Sequence, residues 1–169
     1  MNQKITINDI TIRNDLKPGD IGYVTYLHGV LYKREYDYGI AFEAYVGAGF
    51  HEFHQKYNPQ RERVWVCEHQ EKIIGFLLLM DRGDSAQLRY FLIEPAYRGI
   101  GLGKRLMESY MEFLKKVGYK SSYLWTTNEL HTASALYKRN GFVLAEEKPS
   151  VAFGKSLFEQ KYELRLANG

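Results

Sequence analysis

The chain has 169 residues, of which 45% are apolar, 15% aromatic and 25% charged, with four prolines and a net charge of +3 at pH 7. That composition excludes a disordered chain, and the length suits a single domain, residues 1–169, around one core. The lone cysteine, Cys67, excludes an internal disulfide and a cysteine-based zinc site, and the longest apolar run, Ile73 to Met80, is too short to cross a bilayer.

The positive charge is spread along the chain without a basic tail, so neither a nucleic acid nor a membrane is expected as partner. The first residues hold no extended apolar segment for export, and the chain is expected in the cytoplasm.

In chain order, Ile10 and Ile12 alternate with polar neighbours and predict a short strand over residues 10–15. A turn at LKPGD follows, after which Asp20 is expected to cap a helix running to about Lys33, with Ile21, Val24, Leu27 and Leu31 on one face. REYDYG should break that helix. Phe42, Tyr45, Val46 and Phe53 predict a second helix over 41–56, weakened by Gly47 and Gly49. RVWVCE, KIIGFLLLM and QLRYFLI read as an antiparallel meander, with turns near His69–Glu71 and at DRGDS. Gly75 inside the second strand suggests a bulge or a close approach.

Leu102, Leu106, Tyr110, Leu114 and Val117 mark a further helix that Gly118 should end. KSSYLWTT is a strand, NELHTASALYKRNGF a short helix with Asn128 near its start, and FVLAEEK and FEQKYELRL a closing strand pair. This order predicts an α/β (α+β) domain: a mixed sheet with helices on both faces.

RGIGLGK, residues 98–104, sits between a strand end at Glu94 and a helix start. It fails the dinucleotide pattern, because the third glycine position is Lys104. It fails the P-loop pattern too, because Arg98 stands first and Arg105 follows the lysine. What it offers is a row of main-chain N–H groups entering a helix, where the helix field favours an anion and glycine admits a phosphate close to the backbone.

FLIEPAYRGIGLGKRLME resembles the acyl-coenzyme A loop of the GNAT acetyltransferase superfamily, through Arg98, Gly101 and Gly103. The superfamily's second signature is matched by ASALYKRNGF, with Ala133, Leu136, Tyr137, Gly141 and Phe142. The N-terminal half, with QLRYFLIEPAYRG, also resembles the acetyltransferase module that some bacteria fuse to a MarR-type winged-helix regulator. Here no regulator domain is expected.

The superfamily resemblance implies a GNAT-like acyl-CoA N-acyltransferase fold with a central, mixed, splayed sheet, and acetyl-CoA as cofactor. Pantetheine would lie between LRYFLIE and SSYLWTT, held by the backbone of Phe91, Leu92 and Ile93. The diphosphate would rest on Arg98, Gly99, Ile100, Gly101, Leu102, Gly103 and Lys104. Asn128 would bind pantetheine or cap its helix, and Lys138 and Arg139 would meet the 3′-phosphate or lie in solvent. Tyr137 is implied as the acid that protonates the departing thiolate.

For the base the sequence leaves Glu94, Glu35, Glu43, His28 and His131 open, with Glu94 nearest the expected chemistry. The segment HGVLYKREYDYG reads as a lid that brings His28, Tyr32, Glu35 and Tyr36 to the acceptor, together with Arg89 and Trp125 from the sheet. Such a wall suits a small amine or a lysine side chain, whereas Arg89 would suit a substrate carboxylate. Cys67 reads as a buried small hydrophobe, and His51 and His54 as surface residues without a third metal ligand. The expected activity is N-acetylation of a small-molecule, amino-acid or protein amine, by a chain able to form a homodimer. The competing function is an acyl-CoA sensor or scaffold without turnover.

Overall fold

A computed structural model describes residues 3–167 of the chain. A 3₁₀ turn precedes strand β1 (Thr11–Arg13); helices α1 (Asp20–Tyr36) and α2 (Ile40–Gln55) follow. Strands β2 (Arg63–His69), β3 (Lys72–Arg82) and β4 (Ser85–Ile93) form the meander, and α3 (Leu102–Val117), β5 (Ser121–Thr127), α4 (His131–Arg139), β6 (Val143–Ser150) and β7 (Leu157–Arg165) complete the chain. The strands make one seven-stranded sheet in the order β1-β2-β3-β4-β5-β7-β6. Among the described residues only β4 and β5 are parallel neighbours; every other pair is antiparallel.

Period-two alternation decides which helices cover which face. On β2 and β3, Trp65, Cys67, Leu77 and Leu79 pack with α3 through Leu106, Tyr110 and Leu114. Their neighbours Val64, Val66, Phe76, Leu78 and Met80 pack with α1 and α2 through Val24, Phe42, Phe50 and Phe53. Strand β3 is therefore buried on both sides, which is why its sequence reads as an unbroken apolar run.

Several local outcomes differ from expectation. Helix α1 does not break at REYDYG: it continues to Tyr36 and ends on Asp37 in the left-handed region. The segment expected to form the lid is thus two turns of helix rather than a loop. Asp20 is the first helical residue and not its cap. Its carboxylate accepts the Lys17 N–H at 2.7 Å and one N–H from each of Arg13 Nη1 and Nη2, fastening β1 to α1. Gly47 and Gly49 leave α2 intact, because tertiary packing outweighs a propensity cost of about 1 kcal/mol each.

The β2–β3 turn is a two-residue hairpin with Gln70 and Glu71 both at positive φ, the geometry that matches the strand twist. Gly75 is a close approach: a Cβ there would lie 3.3 Å from both Cys67 Cβ and the Leu92 carbonyl oxygen. Helix α4 starts at His131 with Leu130 before it, so Asn128 does not cap it.

Candidate functional site

Strands β4 and β5 pair only over Ser85–Ser121, Ala86–Ser122 and Gln87–Tyr123, and then part. Beyond Gln87, β4 keeps β3 on one side, and no strand among the described residues pairs with its other edge. The Glu94 N–H bonds to Ile74 O of β3 at 2.8 Å. Alternation then turns the backbone groups of Phe91 and Ile93 toward the side that β5 has left. Arg98 Nε donates to Ile93 O at 3.0 Å, which leaves the N–H of Ile93 and both groups of Phe91 facing the gap.

A β-bulge shapes this stretch. Leu78 pairs with Arg89 but Phe76 pairs with Leu92, so Leu77 stands opposite two residues of β4. The extra residue is accommodated at Tyr90, which sits at φ 58°. The parity of the strand changes there: Leu88 packs with α3, whereas Leu92, four residues on, packs with Leu27 and Leu31 of α1. Arg89 and Tyr90, consecutive residues, both reach α2. A Cβ on Gly49 would fall 1.7 Å from Tyr90 Oη and 2.7 Å from Arg89 Nη2. A non-glycine residue in this conformation costs about 1–3 kcal/mol and persists where the surroundings enforce it.

The gap opens as two adjoining spaces. The outer one is a groove of about 350 Å³ lined by Phe91, Leu92 and Ile93, by Arg98, Gly99, Gly101, Leu102, Gly103 and Lys104, and by Leu136 and Arg139 of α4. Gly99 and Gly101 have φ of 79° and 90°, and Gly101 is the residue before the first turn of α3. The first bond of that helix runs from Arg105 N to Gly101 O, so the N–H groups of Leu102, Gly103 and Lys104 have no helical acceptor. A Cβ on Gly103 would meet Leu136, Ile93 and Phe91 at 3.4–3.6 Å, narrowing the groove at its floor.

The inner space, about 100 Å³, is lined by His28, Tyr32, Phe42, Gln87, Arg89, Tyr90, Trp125, Thr126, Tyr137 and Glu159 among others. Tyr32, Phe91 and Leu130 border both spaces. Tyr137 is buried, and burial raises its pKa, so its hydroxyl keeps its proton throughout the neutral range. Three of the buried polar atoms that lack a hydrogen-bond partner among the described residues belong to side chains lining this cavity: His28 Nε2, Tyr90 Oη and Thr126 Oγ1. His28 Nδ1 lies 2.8 Å from Val24 O. A carbonyl only accepts, so Nδ1 carries the hydrogen and Nε2 is a bare acceptor. Burial lowers the His28 pKa to about 4, which keeps the ring neutral.

The other sequence candidates divide. Glu35 and Tyr36 border the groove and not the inner cavity. The Glu35 carboxylate pairs with Arg98 at 2.9 Å, tying α1 to the glycine loop. Glu94 lines neither space and pairs with Lys72 at 3.3 Å, because the strand end directs it toward β3. Asn128 also lies outside both: its Oδ1 accepts the Phe158 N–H at 2.9 Å, fixing the start of β7. Ile100 packs against the core rather than lining the groove. Glu43 lies along α1 over Gly29, and His131 is exposed. Of the five candidate bases, His28 alone lines the inner cavity.

Sequence reading missed Tyr38, Phe153, Glu159 and Gln87. For Gln87 a signal existed, since two polar residues two apart, Gln87 and Arg89, interrupt an apolar strand. Phe153 arrives from the β6–β7 loop, whose carbonyl accepts the Gly39 N–H at 2.8 Å, a long-range contact with no local signature.

A family model described as acetyltransferase (GNAT) domain matches residues 60–144. The uncharacterized N-acetyltransferase YjgM of Escherichia coli K12 is 35% identical over 95 residues, 54% of this chain and 57% of that protein. The chain spans about half the length of the curated relatives it matches. Among solved structures, an acetyltransferase from Streptococcus agalactiae superposes with a TM-score of 0.73 at 20% identity, covering 95% of this chain and all of the other. The putative acetyltransferase yncA from Salmonella typhimurium, solved with acetyl-CoA, gives 0.70 at 20% identity over 96% of each chain. At these identities the likeness to solved structures is one of fold.

Proposed function

The chain belongs to the GNAT acetyltransferase family, and from that premise we propose that residues 1–169 form a single acetyl-CoA-dependent N-acetyltransferase domain acting on a primary amine. The observation that carries this reading is the parting of β4 from β5 onto a glycine-lined helix start, with buried Tyr137 at the inner end. The match is to the superfamily; nothing singles out the module fused to MarR-type regulators.

Acetyl-CoA supplies the acyl group as a thioester. The free N–H groups from Gly99 to Lys104, with the Lys104 ammonium, hold the diphosphate; Arg139 on α4 faces the same groove. Arg98 is partly neutralised by Glu35 and acts mainly to brace the loop. The exposed backbone of Phe91 and Ile93 takes the pantetheine amides as a missing strand would.

When the amine nitrogen bonds to the acyl carbon and the carbon–sulfur bond breaks, the Tyr137 hydroxyl donates its proton to the departing sulfur, and the proton that the nitrogen gives up restores the hydroxyl, by way of solvent, before the next turnover. His28 Nε2 accepts a hydrogen bond from the amine and turns its lone pair inward; as a neutral ring it does not repel an ammonium shedding its proton. The wall of Tyr32, Phe42 and Trp125 excludes water, which would otherwise hydrolyse the thioester.

The test is calorimetric titration with CoA, followed by thiol release from acetyl-CoA with a panel of amines. Tyr137→Phe is expected to lower kcat by roughly 10²–10⁴ while CoA affinity stays near wild type. Equal rates in the two proteins would remove the acid assignment. CoA binding without thiol release for any amine would favour a sensor module.

A further inference from the structure

Resting on the acetyltransferase reading, we infer that the acceptor amine also carries a carboxylate, held by Arg89, and is an α-amino acid with an apolar side chain. Arg89 is a buried guanidinium in the wall of the inner cavity, with its side chain 8% exposed. Among the described residues its nearest carboxylate, Glu52, stands 3.8 Å away through Oε2 and gives its other oxygen, Oε1, to Arg82 at 2.6 Å. The remaining contacts of Arg89 are soft: Met80 Sδ at 3.9 Å and the faces of Tyr90 and Tyr45 at 4.8 and 5.4 Å.

A guanidinium stays ionised in a protein, and burying one without a close anion is costly. This fold goes to some length to place it there. The bulge at Tyr90 brings Arg89 to the α2 face, and α2 holds a glycine at 49 where any side chain would strike the guanidinium. A positive charge so placed is completed by an anion entering the cavity, and a carboxylate matches its fork in two parallel hydrogen bonds. Gln87, on the same strand face, accepts from Arg82 and Tyr123 through Oε1, so its NH₂ is a further donor toward such an anion.

Arg89 and Tyr137 line one small cavity. Carboxylate and reacting amine must therefore belong to one compact molecule, as in an α-amino acid. A polyamine would set cationic groups beside Arg89, and a protein lysine would bring no carboxylate. Apart from Thr126, Thr127 and Glu159, the remainder of the wall is aromatic or aliphatic and suits an apolar side chain.

The experiment compares L-phenylalanine, L-leucine and L-methionine with their decarboxylated counterparts phenethylamine, isoamylamine and 3-(methylthio)propylamine. Binding to the CoA-loaded protein is followed by calorimetry, and thiol release from acetyl-CoA is measured on the same panel. At least one amino acid should bind roughly tenfold or more tightly than its amine and show a similar advantage in kcat/KM. That advantage should shrink toward one in Arg89→Met and partly return in Arg89→Lys, with melting temperature checked for both. Amines that equal or surpass their amino acids in the wild-type protein would overturn the proposal, as would an advantage that survives in Arg89→Met. Both results leave acetyl transfer standing. Thiol release with no amine at all would instead overturn the transfer reading, and calorimetry would still decide the carboxylate preference.

Discussion

At the scale of single residues, His28 makes a prediction independent of catalysis. Its ring is buried among Tyr32, Phe42 and Tyr90, and its pKa falls from the usual 6.5 to about 4 because burial penalises the cation. From about one pH unit above 6.5 the group is neutral whether the chain is folded or not and contributes nothing to pH dependence. As pH falls from 6.5 toward 4, the unfolded chain takes up a proton that the folded chain refuses, and about 3 kcal/mol of stability is lost. Denaturant unfolding between those limits should show this slope, and His28→Gln should flatten it. A slope unchanged by that substitution would mean that His28 is hydrated in the folded protein. The lowered pKa of Asp20 acts in a separate window: burial alone would raise it, but Arg13 and the Lys17 N–H prevail, so its contribution is lost only below the ordinary carboxylate range. The sequence could present His28 as a candidate but not as a neutral one, since burial and the Val24 carbonyl are properties of the packed helix. Glu94 shows the converse. Its place at a strand end was legible, but its direction depends on Lys72, which the β2–β3 hairpin brings alongside.

At the scale of elements, the glycine loop was the most legible part of the site, because Gly99 and Gly101 supply a left-handed backbone that other residues adopt at a cost. Gly101→Val, with φ at 90° and open space around the Cβ, should suffer from strain rather than collision. Stability should drop by about 1–2 kcal/mol and the CoA dissociation constant rise roughly tenfold, as the amides at the helix start lose their alignment. Unaltered CoA affinity would show that the diphosphate does not rest there. The bulge in β4 was not legible. QLRYFLI reads as a regular strand, and nothing local announces that Tyr90 takes φ 58° or that Arg89 follows it to α2. The bulge depends on the space at Gly49, forty residues earlier, which admits the Tyr90 hydroxyl and the Arg89 guanidinium. There sequence reasoning saw only a weakened helix. Gly49→Ala should therefore destabilise the protein by about 1–3 kcal/mol through overpacking, despite alanine's better helix propensity. A stabilised Gly49→Ala variant would mean that Tyr90 and Arg89 have room to withdraw.

At the scale of the whole molecule, the sheet is two sheets joined at a short seam. Strands β1 to β4 form one antiparallel set and β5, β7 and β6 another, and three residue pairs connect them. The element order and both covered faces followed from periodicity and turn residues. The extent of the seam did not, because the length over which parallel strands stay paired is set by the bulge in β4 and by helices α3 and α4 packed across the join. Such a molecule leaves backbone donors and acceptors exposed in its interior unless something fills the gap. CoA seated there would bridge the halves, and its effect should be global. At a hundredfold excess over its dissociation constant, CoA should add about 2.7 kcal/mol to the unfolding free energy, a rise of roughly 5–11 °C in Tm for a chain of this length. Hydrogen exchange should locate that gain: amides of β4 beyond Gln87 and of the facing stretch of β5 should slow together with those at the start of α3. Slowing confined to α3 would mean that only the phosphates engage and the seam stays open. Slowing on both strands requires a ligand that lies between them, in the position of the strand the sheet lacks.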